Sequence, residues 1–241
     1  MSTSPRISVI VPNFNYARYL EIRLNSIFNQ TRQDFEVIYL DDASTDNSRE
    51  EYERLAGDPR MRAIFNQRNS GVAFRQWNKG VREARGEFIW IAEADDVADP
   101  RLLEVLIQRL ESDPQCGIAY CASQFIDEQG NVTGRAEDEL SSLDADRWHH
   151  DFVSQGRDEC SRYLIQRNTI FNASAVVFRR EVYLQAGEAD ENLKLCGDWI
   201  TWAKMLFHSN LAYVAEPLNS FRRHGQSVRS NTSHARHVWE S

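Results

Sequence analysis

The chain lacks a basic surplus, a membrane-spanning apolar run, paired cysteines and a glycine-rich phosphate loop, and each absence removes a class of function. Its 241 residues carry 28 Lys and Arg against 36 Asp and Glu, a net charge of -8. A nucleic-acid-binding domain needs an excess of cations on one face, so nucleic acid is excluded as a partner. No uninterrupted apolar stretch approaches the roughly 20 residues that cross a bilayer, and the N-terminus has no signal-peptide pattern. Membrane contact is therefore expected to be peripheral at most. The four cysteines, Cys116, Cys121, Cys160 and Cys196, form no Cys-x-x-Cys pair and lie in or beside apolar stretches, as buried thiols do. That predicts a reducing, cytoplasmic location, at the inner face of the membrane if at a membrane at all. There is no internal repeat and no low-complexity tract.

What the chain does have is a strand-then-helix rhythm. The first half predicts strands at Ile7 to Val11, Phe35 to Leu40, Arg62 to Phe65 and Phe88 to Ala92, each a short apolar run of the kind buried on both faces of a parallel sheet. Helices are expected at Tyr16 to Asn29, Asn47 to Leu55, Val72 to Ala84 and Arg101 to Glu111. A strand follows at Gly117 to Ile126, and then the pattern breaks. Residues Asp127 to Glu159 are polar and without a clear period, and read as a long excursion of the kind that is more often functional or mobile than inert. Order returns with a helix at Ser161 to Arg167, a strand at Ala173 to Phe178, helices at Glu181 to Gln185 and Trp199 to His208, and a last strand at Leu211 to Val214. With 41% hydrophobic residues the chain can bury a sizeable core, and one doubly wound α/β domain is the simplest reading. It would have a half of nucleotide-binding type over 1–112, a second half over 113–225, and a polar tail over 226–241.

The chemistry concentrates where strands end. Glu93-Ala94-Asp95-Asp96 directly follows the fourth strand, and adjacent carboxylates at a strand's carboxyl end in an open α/β sheet sit where ligands bind. Their mutual repulsion calls for a positive partner, and a hard divalent cation, Mg²⁺ or Mn²⁺, that also takes phosphate oxygens suits them. The alternative is a solvated loop leading to a helix cap at Asp99-Pro100. Parallel strands joined by right-handed crossovers end on one side, so this turn should share an edge with Pro12-Asn13-Phe14-Asn15 and with Asp41-Asp42-Ala43-Ser44-Thr45-Asp46. Two acidic strand ends beside an aromatic, amide-bearing loop describe a nucleoside diphosphate pocket. Asp46 reads better as a turn and helix cap than as a ligand. The loop after the first strand is not the Gly-rich, Lys- or Arg-bearing loop a nucleotidyltransferase would favour.

In their order and spacing these segments resemble glycosyltransferase family 2, the inverting, nucleotide-sugar-dependent enzymes of the GT-A fold. The resemblance runs from Ile7 to His224 through Val9-Ile10-Val11-Pro12-Asn13-Phe14-Asn15, the Asp41 to Asp46 loop, Asn69-Ser70-Gly71, Asn78-Lys79-Gly80, Ala84-Arg85-Gly86-Glu87-Phe88-Ile89, Asp95-Asp96, Phe178-Arg179-Arg180-Glu181-Val182 and Cys196-Gly197-Asp198-Trp199. It implies a Rossmann-like, mostly parallel twisted sheet with helices on both faces. It also implies that Pro12 and Phe14 flank the base, that Asp42 accepts its N–H, that Asp95 touches ribose or metal, and that Asp96 binds the cation bridging the diphosphate.

Inverting transfer needs a base for the acceptor hydroxyl. Read from the residues alone, Asp198 fits an N-cap of the Trp199 helix better than a base; the resemblance reverses that preference, because Asp198 matches the family's catalytic carboxylate. Many relatives have an acidic residue where this chain has Gly197. Phe221-Arg222-Arg223-His224 resembles the family's closing motif, in which a histidine can be a further metal ligand; read from the residues alone, a lone His after a basic pair fits a surface position better, while Arg222 or Arg223 could meet a diphosphate. The implied activity is metal-dependent transfer from a UDP- or dTDP-sugar to a saccharide or lipid-linked acceptor, in surface polysaccharide assembly. The competing readings are a non-catalytic nucleotide-sugar module or one domain of a longer synthase.

Overall fold

A computed structural model describes residues 4–225; the polar tail expected over 226–241 lies outside the described residues. Ten strands form one mixed sheet: β1 (Ile7–Asn13), β2 (Phe35–Asp41), β3 (Met61–Phe65), β4 (Phe88–Ile91), β5 (Val97–Ala98), β6 (Cys116–Ile126), β7 (Val132–Arg135), β8 (Phe152–Ser154), β9 (Val176–Arg179) and β10 (Asn210–Arg222). The helices are α1 (Ala17–Phe28), α2 (Ser48–Leu55), α3 (Ala73–Glu83), α4 (Leu102–Ser112), α5 (Gly156–Glu159), α6 (Arg180–Gln185) and α7 (Gly197–Leu206).

The strand order is β3-β2-β1-β4-β9-β6-β10-β5, with β7 on β6 and β8 on β10. Pairing is parallel through β3-β2-β1-β4 and again between β6 and β10, while β9 enters antiparallel to both of its neighbours. A single sheet thus runs unbroken through both halves of the chain. Every residue of β1, β2 and β4 is buried, as the unbroken apolar runs predict.

Side-chain alternation divides the core into two layers. Ile10, Ile38, Leu40, Ile89 and Ile91 face α3, α6 and α7, where Trp77, Val81, Tyr183, Trp202 and Met205 cover them. Val9, Val11, Val37, Tyr39, Phe88 and Trp90 face α1 and α4, covered by Leu20, Leu24, Leu102, Leu106 and Leu110.

Three expectations change. The excursion over 127–159 contains β7, β8, α5 and two single 3-10 turns at Glu137–Leu140 and Arg147–His149. It is pinned from inside: Trp148 is 2% exposed and donates its indole N–H to Tyr120 Oη at 2.9 Å. Arg147 pairs with the buried Glu159 at 2.6 Å and lies over Phe152, Tyr163 and Trp148. Next, helix begins at Gly156 and passes into a π-turn at Cys160–Leu164, earlier than Ser161. Finally, the last strand continues eight residues past Val214, because Pro217 sits at a register shift, a position where a strand tolerates the missing N–H.

Gly80 explains the middle of Asn78-Lys79-Gly80: a Cβ there would lie 2.4 Å from Ile10 Cγ2, so α3 packs directly on β1. Gly80→Ala is expected to lower unfolding free energy by about 2 kcal/mol through overpacking, checked by urea denaturation. A neutral substitution would show that α3 can move away from β1.

Candidate active site

Parallel pairing of β1 with β2 and of β1 with β4, with Asn13 opposite Asp41, puts the three expected loops on one sheet edge. A cleft of about 910 Å³ opens there; Pro12, Phe14, Asp42, Glu93 and Lys194 are among its walls. Phe14 is 42% exposed, an unusual degree for a phenylalanine and one that leaves its ring face available to a planar ligand. Asn15 takes a left-handed φ of 62°, and its side-chain oxygen accepts from Thr45 N at 2.7 Å, tying the first loop to the second. Asp46 accepts from Ala17 N and Ser48 N at 3.0 Å each and so joins the starts of α1 and α2, the structural role its sequence predicts.

Asp42 lines the cleft but is already engaged. Its Oδ1 accepts from Asn66 Nδ2 (2.6 Å) and Gln76 Nε2 (2.9 Å), and its Oδ2 from Ser70 N (2.9 Å) and Ser70 Oγ (2.7 Å). A carboxylate offers about four such positions. Any further donor to this group has to displace one of these, and Asp42 here ties Asn66 and Gln76 to the Asn69-Ser70-Gly71 loop.

The acidic turn spans from β4 to the short β5, which pairs with Asn219 and Ser220 of β10. Beyond it, at the expected start of the next helix, Asp99 Oδ1 accepts from Arg101 N at 2.9 Å. The turn's carboxylates diverge. Glu93 points to the cleft and accepts from Trp77 Nε1 at 2.9 Å. Asp95, with a side chain 14% exposed, lies 2.9 Å from Nε2 of the buried His224. Asp96, the expected cation ligand, is 2% exposed and turned inward, with Oδ2 accepting from Asn172 Nδ2 at 2.7 Å and Oδ1 from Arg222 N at 2.9 Å.

The strand end that carries Arg222 and His224 closes the site. The Arg222 guanidinium donates to the carbonyls of Asp95 and Asp127 at 2.7 Å each and lies over Tyr19, so it grips backbone rather than facing a diphosphate. Arg223 pairs with Glu139 and covers Phe125. Tyr16 lines the cleft and meets His224 edge-on, ring centroids 5.5 Å apart.

Asp198 does not line the cleft. It occupies the first turn of α7, one residue inside a helix that starts at Gly197, with Oδ1 accepting from Trp199 N at 2.7 Å and Oδ2 from Asn168 Nδ2 at 3.2 Å. Two links join it to the acidic turn. Asn168 and Asn172, four residues apart, hold Asp198 and Asp96 respectively. On the other side Gly197 abuts Phe74, whose ring stands edge-on to Trp77, the donor to Glu93. A Cβ at Gly197 would fall 2.3 Å from the Phe74 ring, which is why no acidic side chain fits there.

Tyr16, Lys194, Asn172 and Trp77 were not singled out as site residues from sequence, and Glu93, though part of the acidic cluster, was given no role of its own. Tyr16 had a local signal, adjoining a recognised motif. Asn172, Trp77 and Lys194 arrive through tertiary packing.

A doubly wound sheet with a nucleotide-sized cleft at its carboxyl edge and an acidic turn at the cleft's end is the architecture of a GT-A nucleotide-sugar-binding domain. The sequence profile of the family "Glycosyl transferase family 2" matches residues 8–184, and the chain belongs to that family. It is 26% identical over 232 residues to TuaG of Bacillus subtilis strain 168, a provisional teichuronic acid biosynthesis glycosyltransferase, covering 94% of this chain and 82% of that protein. It is 38% identical over 109 residues to the glycosyltransferase GlyG of Streptococcus pneumoniae serotype 4, covering 45% of this chain and 36% of GlyG. It is also 33% identical over 129 residues to the chondroitin synthase of Escherichia coli, covering 53% of this chain and 18% of the synthase. The matches thus reach about a third or less of the length of several curated relatives.

Among solved structures, S. aureus TarS in complex with UDP-GlcNAc superposes with a TM-score of 0.75 at 18% identity, over 95% of this chain and 61% of that one. The mannosyltransferase PcManGT of Pyrobaculum calidifontis, in complex with GDP-Man and Mn²⁺, superposes with a TM-score of 0.66 at 21% identity, over 98% and 60%. These likenesses show the fold. Among the described residues no helix is long and apolar enough to cross a membrane.

Burial, reinforced by the neighbouring Asp95, pushes the Glu93 carboxyl up to about 8 and that of Asp96 up to about 7. In an unfolded chain both titrate near 4. Between about pH 5 and 8 the folded protein therefore binds more protons than the unfolded one, and stability falls as pH rises. In chelator, the melting temperature should drop across that window, and Glu93→Gln should flatten the slope. A melting temperature that rises from pH 5 to 8 contradicts the crowding of charge in this turn.

Proposed function

We propose that the chain is a metal-dependent inverting glycosyltransferase that takes a sugar from a nucleoside diphosphate donor, UDP- or dTDP-linked, and delivers it to a saccharide or lipid-linked saccharide in cell-surface polysaccharide assembly. The observation that carries this reading is the juxtaposition of an aromatic-walled cleft, an acidic turn at its end and a helix-borne carboxylate linked to that turn through residues 168–172. TuaG, which the chain matches over most of both lengths, supports the polysaccharide setting, and the TarS complex with UDP-GlcNAc supports a uridine donor. Work at the cytoplasmic face of a membrane fits a donor made in the cytoplasm.

Within this reading the base stacks between Pro12 and Phe14, and its N–H takes the place of Ser70 on Asp42. Asp95, the more exposed of the paired aspartates, faces ribose and metal. The residues present fit a divalent cation. Asp95 Oδ2 and His224 Nε2 lie 2.9 Å apart, close to the separation of about 3.0 Å between neighbouring ligands in octahedral coordination with bonds of about 2.1 Å. No set of three His, Cys, Asp or Glu side chains among the described residues forms a complete cage, so waters and donor phosphates complete the shell. We therefore place the cation contact on Asp95 with His224, and Asp96 behind them as the anchor that Asn172 and Arg222 hold. A bound Mg²⁺ or Mn²⁺ supplies Lewis-acid stabilisation of the charge on the departing nucleoside diphosphate.

Asp198 is the proposed base. In inversion the acceptor oxygen forms its bond to the anomeric carbon as the bond to the phosphate oxygen breaks, and the acceptor's proton passes to a carboxylate on the face opposite the leaving group. Asn168 fixes the Asp198 rotamer, and half-buried Trp199, anchored to Leu164 O at 2.9 Å, limits solvent beside it.

A second reading, one transferase domain of a longer synthase, draws on the coverage of only 18% of the chondroitin synthase. Isothermal titration of UDP, dTDP and GDP with and without Mn²⁺ separates the cases. One nucleotide should bind only with metal, and Asp95→Ala should lose that binding. Asp198→Asn should keep binding and reduce transfer about a thousandfold. Absence of binding to all three nucleotides refutes the donor assignment, and unchanged transfer by Asp198→Asn refutes the base.

A further inference from the structure

Arg23, on α1, is fully buried, an uncommon state for an arginine, and takes no part in the reaction outlined above. Its guanidinium lies over the Trp90 ring at 4.8 Å. Nη2 donates to Ser174 Oγ at 3.4 Å, whereas Nε and Nη1 have no hydrogen-bond partner among the described residues. Burying an incompletely paired cation is costly, and an apolar residue of similar size usually serves stability better. A position that keeps such a charge needs a compensating neighbour.

The neighbour is the acidic turn. Ser174 Oγ, which receives the Arg23 N–H, itself accepts from Glu93 N at 3.1 Å, and Ser174 O accepts from Trp90 Nε1 at 2.9 Å. One serine therefore separates the guanidinium from the turn that carries three carboxylates. Burial pulls the guanidinium down to about 10, with Asp96, Asp95 and Glu93 opposing that pull, so Arg23 stays charged at neutral pH. Arg222, the other arginine at this turn, gives its side-chain N–H groups to backbone carbonyls.

We infer that Arg23 is an internal counter-cation of the Glu93-Ala94-Asp95-Asp96 turn, a positioning residue that offsets the repulsion among the carboxylates and keeps the turn in shape when no metal–nucleotide complex is bound. The inference rests on the cation site proposed above and adds a consequence with a definite sign. A fixed positive charge behind the acids stabilises the metal-free turn and weakens cation binding at its front, which favours release of the metal–nucleotide product. A purely structural arginine would do neither.

The test uses the full chain with Arg23→Gln, Arg23→Met and Arg23→Lys. Melting temperature is measured in chelator and with saturating Mn²⁺ and UDP, and Mn²⁺ affinity is measured by titration in the presence of UDP. Arg23→Gln and Arg23→Met should melt lower than wild type in chelator, regain most of the loss with Mn²⁺ and UDP, and bind Mn²⁺ about tenfold tighter. Arg23→Lys, which keeps the charge without the planar stack, should bind Mn²⁺ as wild type does. If Arg23→Met does not fold, the contrast between Gln and Lys carries the test. Equal Mn²⁺ affinity in those two, or weaker binding in Gln, overturns the inference, as does an unchanged or higher melting temperature of the neutral variants in chelator. Failure of the wild type to bind UDP and Mn²⁺ would instead count against the transferase reading, and the chelator melts would still decide the role of Arg23.

Discussion

The structure is organised around the difficulty of holding three carboxylates in one short, largely buried turn. Glu93, Asp95 and Asp96 crowd one another, and burial favours the uncharged form of Glu93 and Asp96. Each has a separate partner: the Trp77 indole for Glu93, His224 for Asp95, and Asn172 with the Arg222 backbone for Asp96. These partners come from α3, the segment before β9, and the end of β10. The turn's shape therefore draws on elements from both halves of the chain, which makes the site a property of the complete fold.

That dependence gives β10 its unusual length. A strand ending at Val214 would leave the Ala122 to Ile126 end of β6 without this partner. The eight residues beyond it, carried past the irregularity at Pro217, continue the pairing with β6 as far as Arg222, add β5 through Asn219 and Ser220, and bring Arg222 and His224 to the acidic turn. Arg222 then reaches across to the carbonyls of Asp127 and Glu128, at the start of the segment that leads into β7. One residue thereby joins the acidic turn, the closing strand and the 127–159 segment.

The nucleotide half was legible from sequence because its signals are local. Unbroken apolar runs fix β1, β2 and β4, and parallel topology then dictates that their loops share an edge, so Pro12, Phe14 and Asp42 could be placed in one cleft beforehand. Pairwise contacts between distant segments were not legible. The inward turn of Asp96 depends on Asn172, seventy-six residues away, and the order in the 127–159 segment depends on burial of Trp148 against Tyr120. The polarity of that segment hid its anchors, because Arg147 and Glu159 read as solvated charges although they form a largely buried pair within an aromatic cage. Gly197 was visible as a departure from the family, while its cause, the Phe74 ring in the space a side chain would need, belongs to tertiary packing.

The same packing bears on how acceptor choice can be built. A mobile 127–159 loop would select its acceptor by closing over it, with an ordering entropy to offset at each binding event. Here the segment is already ordered: Trp148, Leu140 and Phe152 join the core, Arg223 pairs with Glu139, and Arg167 donates to the Glu139 carbonyl beside Asn168, the residue that holds Asp198. Glu139 therefore stands between the strand end that supplies His224 and the residue that orients the proposed base. Under the proposed function, an acceptor reaching Asp198 would meet a preformed wall whose position is coupled to both. Specificity would then follow from the shape and charge of that wall, with no ordering entropy to offset when the acceptor binds.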